Sequence, residues 1–359
     1  MDNNKSNGLS RRRFLTNSAA LAAVSMAPAG IALGSSPVQQ KKKVNSNFGG
    51  VNIGAITYSW RSMPGGLENI VKYCQECNIS SIELMSGDLE TFLGAPENPM
   101  MAIFRSMPRP APPAPPTPAQ PGEAPAPPPR MRRPQLTPEQ QAQIDQYNKD
   151  VVAFRMNIDM NKVAAARKLL DDAGIRAHIV KFSPARWSDE EIDYAFKVAK
   201  AMGARGVSEE LSEEAVNKLA PFAEKHDMYA VFHQHMQFAD IEGFSYEPFM
   251  KVSPAVMFNF DSGHFFGSTG IHPKEILNKY HDRIFSMHIK DKTGPETDPP
   301  NTNQVWGQGQ MPLEETLLLI QKEKWPIYCD IELEYDVKPW SNAVKEVTNC
   351  VHFARQILI

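Results

Sequence analysis

The sequence predicts a (β/α)8 barrel, and three observations carry that prediction. Eight short runs rich in β-branched and aromatic residues recur along the chain, with amphipathic segments between most of them. From the fourth run through the seventh their starts lie about 25–30 residues apart, the length of one strand–helix unit. The first run is followed by TYSWRSMPGG, where a doubly wound open sheet would carry a Gly-rich phosphate loop.

In chain order the strand candidates are VNIGAITY (51–58), ISSIELM (79–85), IRAHIVKF (175–182), ARGVSEE (204–210), MYAVFHQH (228–235), AVMFNFD (255–261), RIFSMHIK (283–290) and PIYCDIELE (326–334). The helix LENIVKYCQECNI follows the first strand, with Leu67, Ile70, Val71 and Cys74 at helical spacing. SDEEIDYAFKVAKAMG opens on a capping box, Ser188 with Glu191, and closes on Gly203. SEEAVNKLAPFAEKH begins at Ser212 with acids in its first turn, where they complement the helix dipole. HPKEILNKY and PLEETLLLIQKEK carry Pro near the first turn, where its missing N–H costs nothing. SNAVKEVTNCVHFARQIL is the last helix.

One interval breaks the rhythm. About 90 residues separate the second and third strands, and the stretch 107–138 within them holds 14 prolines. Such a run builds no core and reads as a polyproline-like insertion, spanning about 100–140, at the end of strand two. The N-terminus is also separate. SRRRFLT followed by AALAAVSMAPAGIALG has the basic start, apolar middle and small-residue end of a signal peptide over 1–34. Arg11 and Arg12 stand in the S-R-R-x-F-L pattern of twin-arginine export, so the expectation is a periplasmic or otherwise exported protein. A linker over 35–49 then leads to the barrel, 50–359.

The chain has a formal net charge of −3, and residues 35–359 carry about −6. That is a poor match to a phosphate backbone, so nucleic acid is not the expected partner. No apolar run of about 18 residues follows the leader, so no membrane span is expected after its removal. Homo-oligomerisation is left open. Of the four cysteines, Cys74 and Cys77 form a CxxC, but it lies on a helix and has no second CxxC to complete a zinc site. Core thiols are the expectation.

The chemistry gathers at the strand ends, which face one mouth in a barrel. Strand two brings Glu83, strand four Glu209 and Glu210, strand five His233 and His235, and strand six Asp261 with His264 close behind. Strand seven brings His288 and Lys290, and strand eight Glu332 and Glu334. Residues i and i+2 of a strand share a face, so HQH, HIK and ELE each aim a pair inward. A mixed imidazole and carboxylate shell suits one divalent ion such as Mn²⁺, Zn²⁺, Co²⁺ or Fe²⁺.

DSGHFFGSTGIHP, KYHDRIFSMHIKD, WGQGQM and IELEYD together resemble the xylose isomerase-like TIM barrel family of sugar phosphate isomerases and epimerases. The resemblance covers roughly 50–359 apart from the proline insertion. Carried over by position, it implies that Asp261, His288 and Glu332 are metal ligands and that His264, Lys290 and Glu334 face the substrate or support the ligands. Many epimerases of the family have a Glu on strand five; here His233-Gln234-His235 stands in its place, similar to the inosose dehydratase branch. The resemblance then implies one histidine as fourth ligand, His235 by preference, and His233 as acid or base. Glu209 or Glu210 supplies the missing carboxylate. The pairs His233/His235 and Glu332/Glu334 remain open to exchange.

The implied activity is a metal-dependent sugar isomerase or epimerase that abstracts the proton next to a carbonyl through an enediolate. A lyase or dehydratase acting on keto-sugars or 3-keto-glycosides is the alternative, and a non-catalytic sugar- or partner-binding protein the second. Tyr58, Trp60 and Trp306 lie near predicted strand ends, where each either stacks on a sugar ring or packs the rim loops. His178 is mid-strand and reads as a core residue, and His226, His272, His281 and His352 carry no catalytic signal.

Overall fold

The computed structural model describes residues 43–106 and 136–359. The leader, most of the linker and the proline run lie outside the described residues.

Eight parallel strands close into a barrel: β1 (Val51–Ile56), β2 (Ser81–Met85), β3 (Arg176–Lys181), β4 (Gly206–Glu210), β5 (Tyr229–His233), β6 (Val256–Asp261), β7 (Ile284–Ile289) and β8 (Tyr328–Ile331). Each pairs with its sequence neighbour, and β8 closes on β1 with Ile331 opposite Ala55. Helices follow the strands, as parallel connections demand. Ordered packing begins before residue 50. Asn47–Phe48 pairs antiparallel with Val51–Asn52, and Val44, Ser46 and Phe48 are buried.

Local sequence explains the helix ends. Ser188 accepts from the Glu191 amide and Glu191 returns to the Ser188 amide, so the predicted capping box is present. Ser212 caps Glu213–His226 through the Ala215 amide, and Asn342 caps Ala343–Leu358. Such caps are each worth about 1 kcal/mol. Two helices flank the proline run, Met100–Ser106 and Pro138–Met156, the second capped by Thr137 with Gln140.

The apolar core lies between the outer strand faces and the helices, where Ile53, Leu84, Val207, Phe232, Phe258, Phe260 and Met287 are fully buried. All four cysteines are buried free thiols. Inside the barrel the lower layer is aromatic, with His178 stacked on Tyr328 at 4.1 Å. Above it the lumen becomes polar, through Glu83, Ser208, Asn259 and His288. No helix among the described residues is long and apolar enough to cross a membrane.

Candidate metal centre at the barrel mouth

The site begins with Asp261, the last residue of β6. Its Oδ1 accepts from the His264 amide and so caps the helix Ser262–Thr269, which leaves Oδ2 aimed into the mouth. Gln234 holds the Asp261 backbone from both sides, donating to its carbonyl at 2.9 Å and accepting from its amide at 3.0 Å. Tyr246, fully buried, donates to Gln234 Oε1 at 2.8 Å and so fixes the clamp. Gly263 is required here: a Cβ at that position would meet Lys290 Cγ at 2.1 Å, so the D-x-G-H turn leaves room for the lysine stem.

Around Asp261 Oδ2 stand His233, His288 and Glu332. Each of the four offers one ligand atom, all are buried, and the atoms lie within 4.8 Å of one another. Both imidazoles are oriented from behind by a carboxylate. His288 Nε2 is 2.8 Å from Glu83 Oε2, and His233 Nδ1 is 3.1 Å from Glu210 Oε2. Glu83 is itself held by Ser208 at 2.7 Å and Asn259 at 2.8 Å. Backing carboxylates of this kind set the ring tautomer and leave the opposite nitrogen as a lone-pair donor.

The donor set fits a divalent cation. Two imidazole nitrogens and two carboxylate oxygens suit Mn²⁺, Zn²⁺, Co²⁺ or Fe²⁺. His288 Nδ1 is buried without a hydrogen-bond partner. It lies 2.9 Å from Glu332 Oε2, close enough for attraction but not lined up to share a proton. His233 Nε2 and Lys290 Nζ reach Asp261 Oδ2 at 3.3 and 2.8 Å, and Lys290 also meets Glu332, so the four donors converge where a cation would compete for the same lone pairs.

Electrostatics follow from this crowding. Burial would raise the Glu83 carboxyl, but the His288 charge and hydrogen bond, with Lys181 and Ser208, hold it down to about 2. Burial likewise opposes ionisation of Asp261, yet Lys290 and His264 outweigh it and hold it well below its ordinary value. Burial works against charge on His288, while Glu332 and Glu83 lift it well above its ordinary value. Lys290 Nζ reaches Glu332 at 2.5 Å, Asp261 at 2.8 Å and Glu334 at 2.8 Å. Burial disfavours that ammonium, but the three carboxylates more than offset it and raise it.

The structure corrects three sequence expectations. His233, the last residue of β5, joins the buried four-donor cluster, while His235 lies beyond it on the half-exposed rim and belongs to a second possible donor group with Glu210 and His233. His235 Nε2 instead meets Glu210 Oε2 at 3.0 Å, and that hydrogen bond raises its pKa above the ordinary value. Glu209 does not face the mouth. It shares the outer face with Val207, and its carboxylate takes the amides of Ala185 and Glu210. Glu210 is the strand-four carboxylate in the site. Trp60 is turned into the helix layer, buried against Tyr73 at 6.1 Å, by the short 3₁₀ turn Thr57–Trp60. It forms one wall of a cavity of about 550 Å³ at the ends of β1 and β2, where exposed Tyr58 stacks under Arg61 at 4.5 Å.

The remaining expected residues fall as follows. Glu334 is partly exposed beside Lys290, 3.8 Å from His264 Nε2. His264 lines the mouth, and burial, reinforced by Lys290 and Lys292, lowers its pKa to about 4. Trp306 is buried against Phe353. His178 pairs with Asp330 at 2.8 Å inside the barrel. Sequence reasoning did not single out Lys181, Lys292, Asn259 or the backing role of Glu83. The signal for Glu83 was its place two residues after Ser81 on an inward face.

Comparison with known proteins agrees with this architecture. Residues 143–351 match the sequence pattern of the xylose isomerase-like TIM barrel. Among proteins of curated function, none matches the chain. A sugar phosphate isomerase/epimerase from Parabacteroides distasonis superposes with a TM-score of 0.51 at 14% identity, covering 86% of this chain and 96% of its own. A xylose isomerase domain protein from Alicyclobacillus acidocaldarius superposes at 0.53 and 11% identity, covering 85% and 99%. A probable 3-DHS dehydratase from Bacillus anthracis superposes at 0.51 and 12% identity, covering 84% and 98%. At such identities the superpositions speak for the fold, and with the matched pattern spanning more than half the sequence, the chain belongs to the xylose isomerase-like TIM barrel family.

Proposed function

We propose that the protein is a metal-dependent sugar isomerase or epimerase that removes the proton next to a carbonyl. The observation that carries this reading is the pair of imidazoles, each backed by its own carboxylate and each turning its other nitrogen toward Asp261 and Glu332. His233, Asp261, His288 and Glu332 would hold the ion. A divalent cation there supplies Lewis acidity to a carbonyl and its neighbouring hydroxyl.

The chain's own groups do the rest. Lys290, held cationic by three carboxylates, is a fixed positive charge rather than a proton carrier. The proton carrier in this reading is His235, with Glu210 bonded to Nε2 and Nδ1 left to take the proton. The Gln234–Tyr246 clamp keeps Asp261 in place while the proton moves. A second reading, elimination from a keto-sugar or 3-keto-glycoside, is favoured by the one-sidedness of this arrangement. His235 with Glu210 serves one face, and no equivalent dyad serves the other among the described residues.

Metal content per chain, measured on protein purified without chelator, tests the site. We expect about one ion per chain and its loss in Asp261→Ala and His288→Ala. Exchange of the α-proton with deuterated solvent then tests the chemistry, and His235→Gln should slow it by roughly 10²–10⁴-fold. Return of labelled sugar indicates isomerisation; release of water or an alcohol indicates elimination. A folded chain that binds no added Mn²⁺ or Zn²⁺ would leave only a binding protein. Export through the twin-arginine route belongs to the same proposal: Arg11→Lys with Arg12→Lys should retain the protein in the cytoplasm on fractionation, and unchanged export would sink it.

A further inference from the structure

One cation at the mouth makes no direct ion pair with any described residue. Lys292 follows the H-x-K-D series, is 3% exposed, and lies on the short strand Asp291–Lys292 that pairs with Asn303–Gln304. Its ammonium makes no hydrogen bond or ion pair with any described residue, whereas Lys290 meets three carboxylates and Lys181 reaches Glu210 at 2.7 Å. An ammonium in so largely dehydrated a position gains more from an anion than one in open water does.

The position is built rather than incidental. The side chain runs over Gly267 of the helix Ser262–Thr269, where a Cβ would meet Lys292 Cε at 3.1 Å and Asn301 Oδ1 at 2.2 Å. A side chain at residue 267 would therefore displace both groups. Asn301 Oδ1 is a buried acceptor with no donor. The helix Ser262–Thr269 is capped by Asp261, and one turn before Gly267 the Lys290 stem crosses Gly263, so Lys292 lies beside the metal centre. Two groups thus stand side by side over Gly267, a cation in direct contact with no carboxylate of a described residue and an acceptor without a donor.

We propose that Lys292 and Asn301 form a subsite for the carboxylate of a sugar acid together with a nearby hydroxyl. The carboxylate meets the ammonium and the hydroxyl donates to Asn301 Oδ1, so one fragment satisfies both. A phosphate dianion fits less well, because a single ammonium meets its two charges. The inference rests on the mouth being a sugar site and names the class of sugar it takes.

The test is a set of binding titrations on the full-length, Mn²⁺-loaded chain with D-glucuronate, D-glucose and D-glucose 6-phosphate, and with D-fructuronate beside D-fructose. We expect each uronate to bind at least about tenfold more tightly than its neutral partner, as a charge-assisted contact allows. In Lys292→Met that preference should fall to within about threefold, and Lys292→Arg should restore part of it. Thermal melting and metal content of both variants report whether they fold and load. A wild-type preference for the neutral sugars, a preference for the phosphate over the uronate, an unchanged preference in Lys292→Met, or no binding of any of these by folded protein each overturns the proposal. Failure of α-proton exchange with Lys292-dependent uronate binding intact would reject the isomerase reading while leaving the subsite standing.

Discussion

Two buried ionic clusters sit on opposite sides of the barrel wall, and they differ in one respect. In the helix layer Arg155 bridges Glu90, at 2.9 and 3.3 Å, and Glu191, at 3.0 Å, with its guanidinium 3.5 Å over Trp187. Tyr194 donates to the same Glu90 oxygen as Arg155, and Ser188 occupies the other oxygen of Glu191. Each of those four carboxylate oxygens has a donor. In the mouth, by contrast, His288 Nδ1 has no hydrogen-bond partner among the described residues, and neither has Asn301 Oδ1 beside Lys292. Buried charge alone therefore marks nothing. Between these two clusters, unmet hydrogen-bonding capacity is the difference, and it lies on the side of the mouth.

The sharpest way to break that comparison is Arg155→Met. Two carboxylates would be left buried without their cation, and such a loss costs about 3–5 kcal/mol. Chemical denaturation should show it, with metal content per folded chain unchanged. A parallel loss of metal would mean the two clusters are not independent.

Glu83→Gln and Glu210→Gln probe the other side. Each amide keeps the size of the side chain but weakens the hold on one imidazole, so metal affinity should fall by roughly 10–100-fold by competition with a chelator. Unaltered affinity in both would remove the backing role assigned to them.

The gentlest contrast is in pH. Glu83 is held down to about 2 from an ordinary value of 4.5 by His288, Lys181 and Ser208 against the penalty of burial. A depressed carboxyl adds stability that is complete above its unfolded value and is lost as pH falls through its folded one. Chelator-treated protein should therefore lose stability progressively from about pH 4.5 toward 2, and Glu83→Gln should flatten that part of the curve.

The barrel was legible because its evidence is local and repeated. Period-two runs mark the strands, and Ser188 with Glu191 marks a helix start from four residues alone. The mouth was legible as a set of strand ends, but its internal order was not. Whether a residue faces inward depends on strand phase. GVSEE contains that information, since Val207 belongs to the apolar outer face and Glu209 shares it. For HQH the phase points both histidines inward, and the outcome turns on where pairing stops, which here is His233. The Arg155 cluster left no trace in the sequence, because its partners lie 65 and 36 residues away. Lys292 was hidden for a different reason: what distinguishes it is the absence of a neighbour, and a sequence does not display absences.

Closure of the barrel through β8 on β1 also sets a timetable for synthesis. The four clustered donors appear in the order His233, Asp261, His288 and Glu332, so the first half of the chain contributes none of them. Tyr328 and Ile331 pair with Asn52 and Ala55, so β1 waits until residues 328–331 have been made before its second edge is covered. A nascent chain released early would expose that open edge and lack Glu332 at once. Ribosomes deliver about 5–20 residues per second, so the wait is many seconds. A chaperone that shields β1 during that interval would raise the yield of complete sites without touching any residue of the mouth.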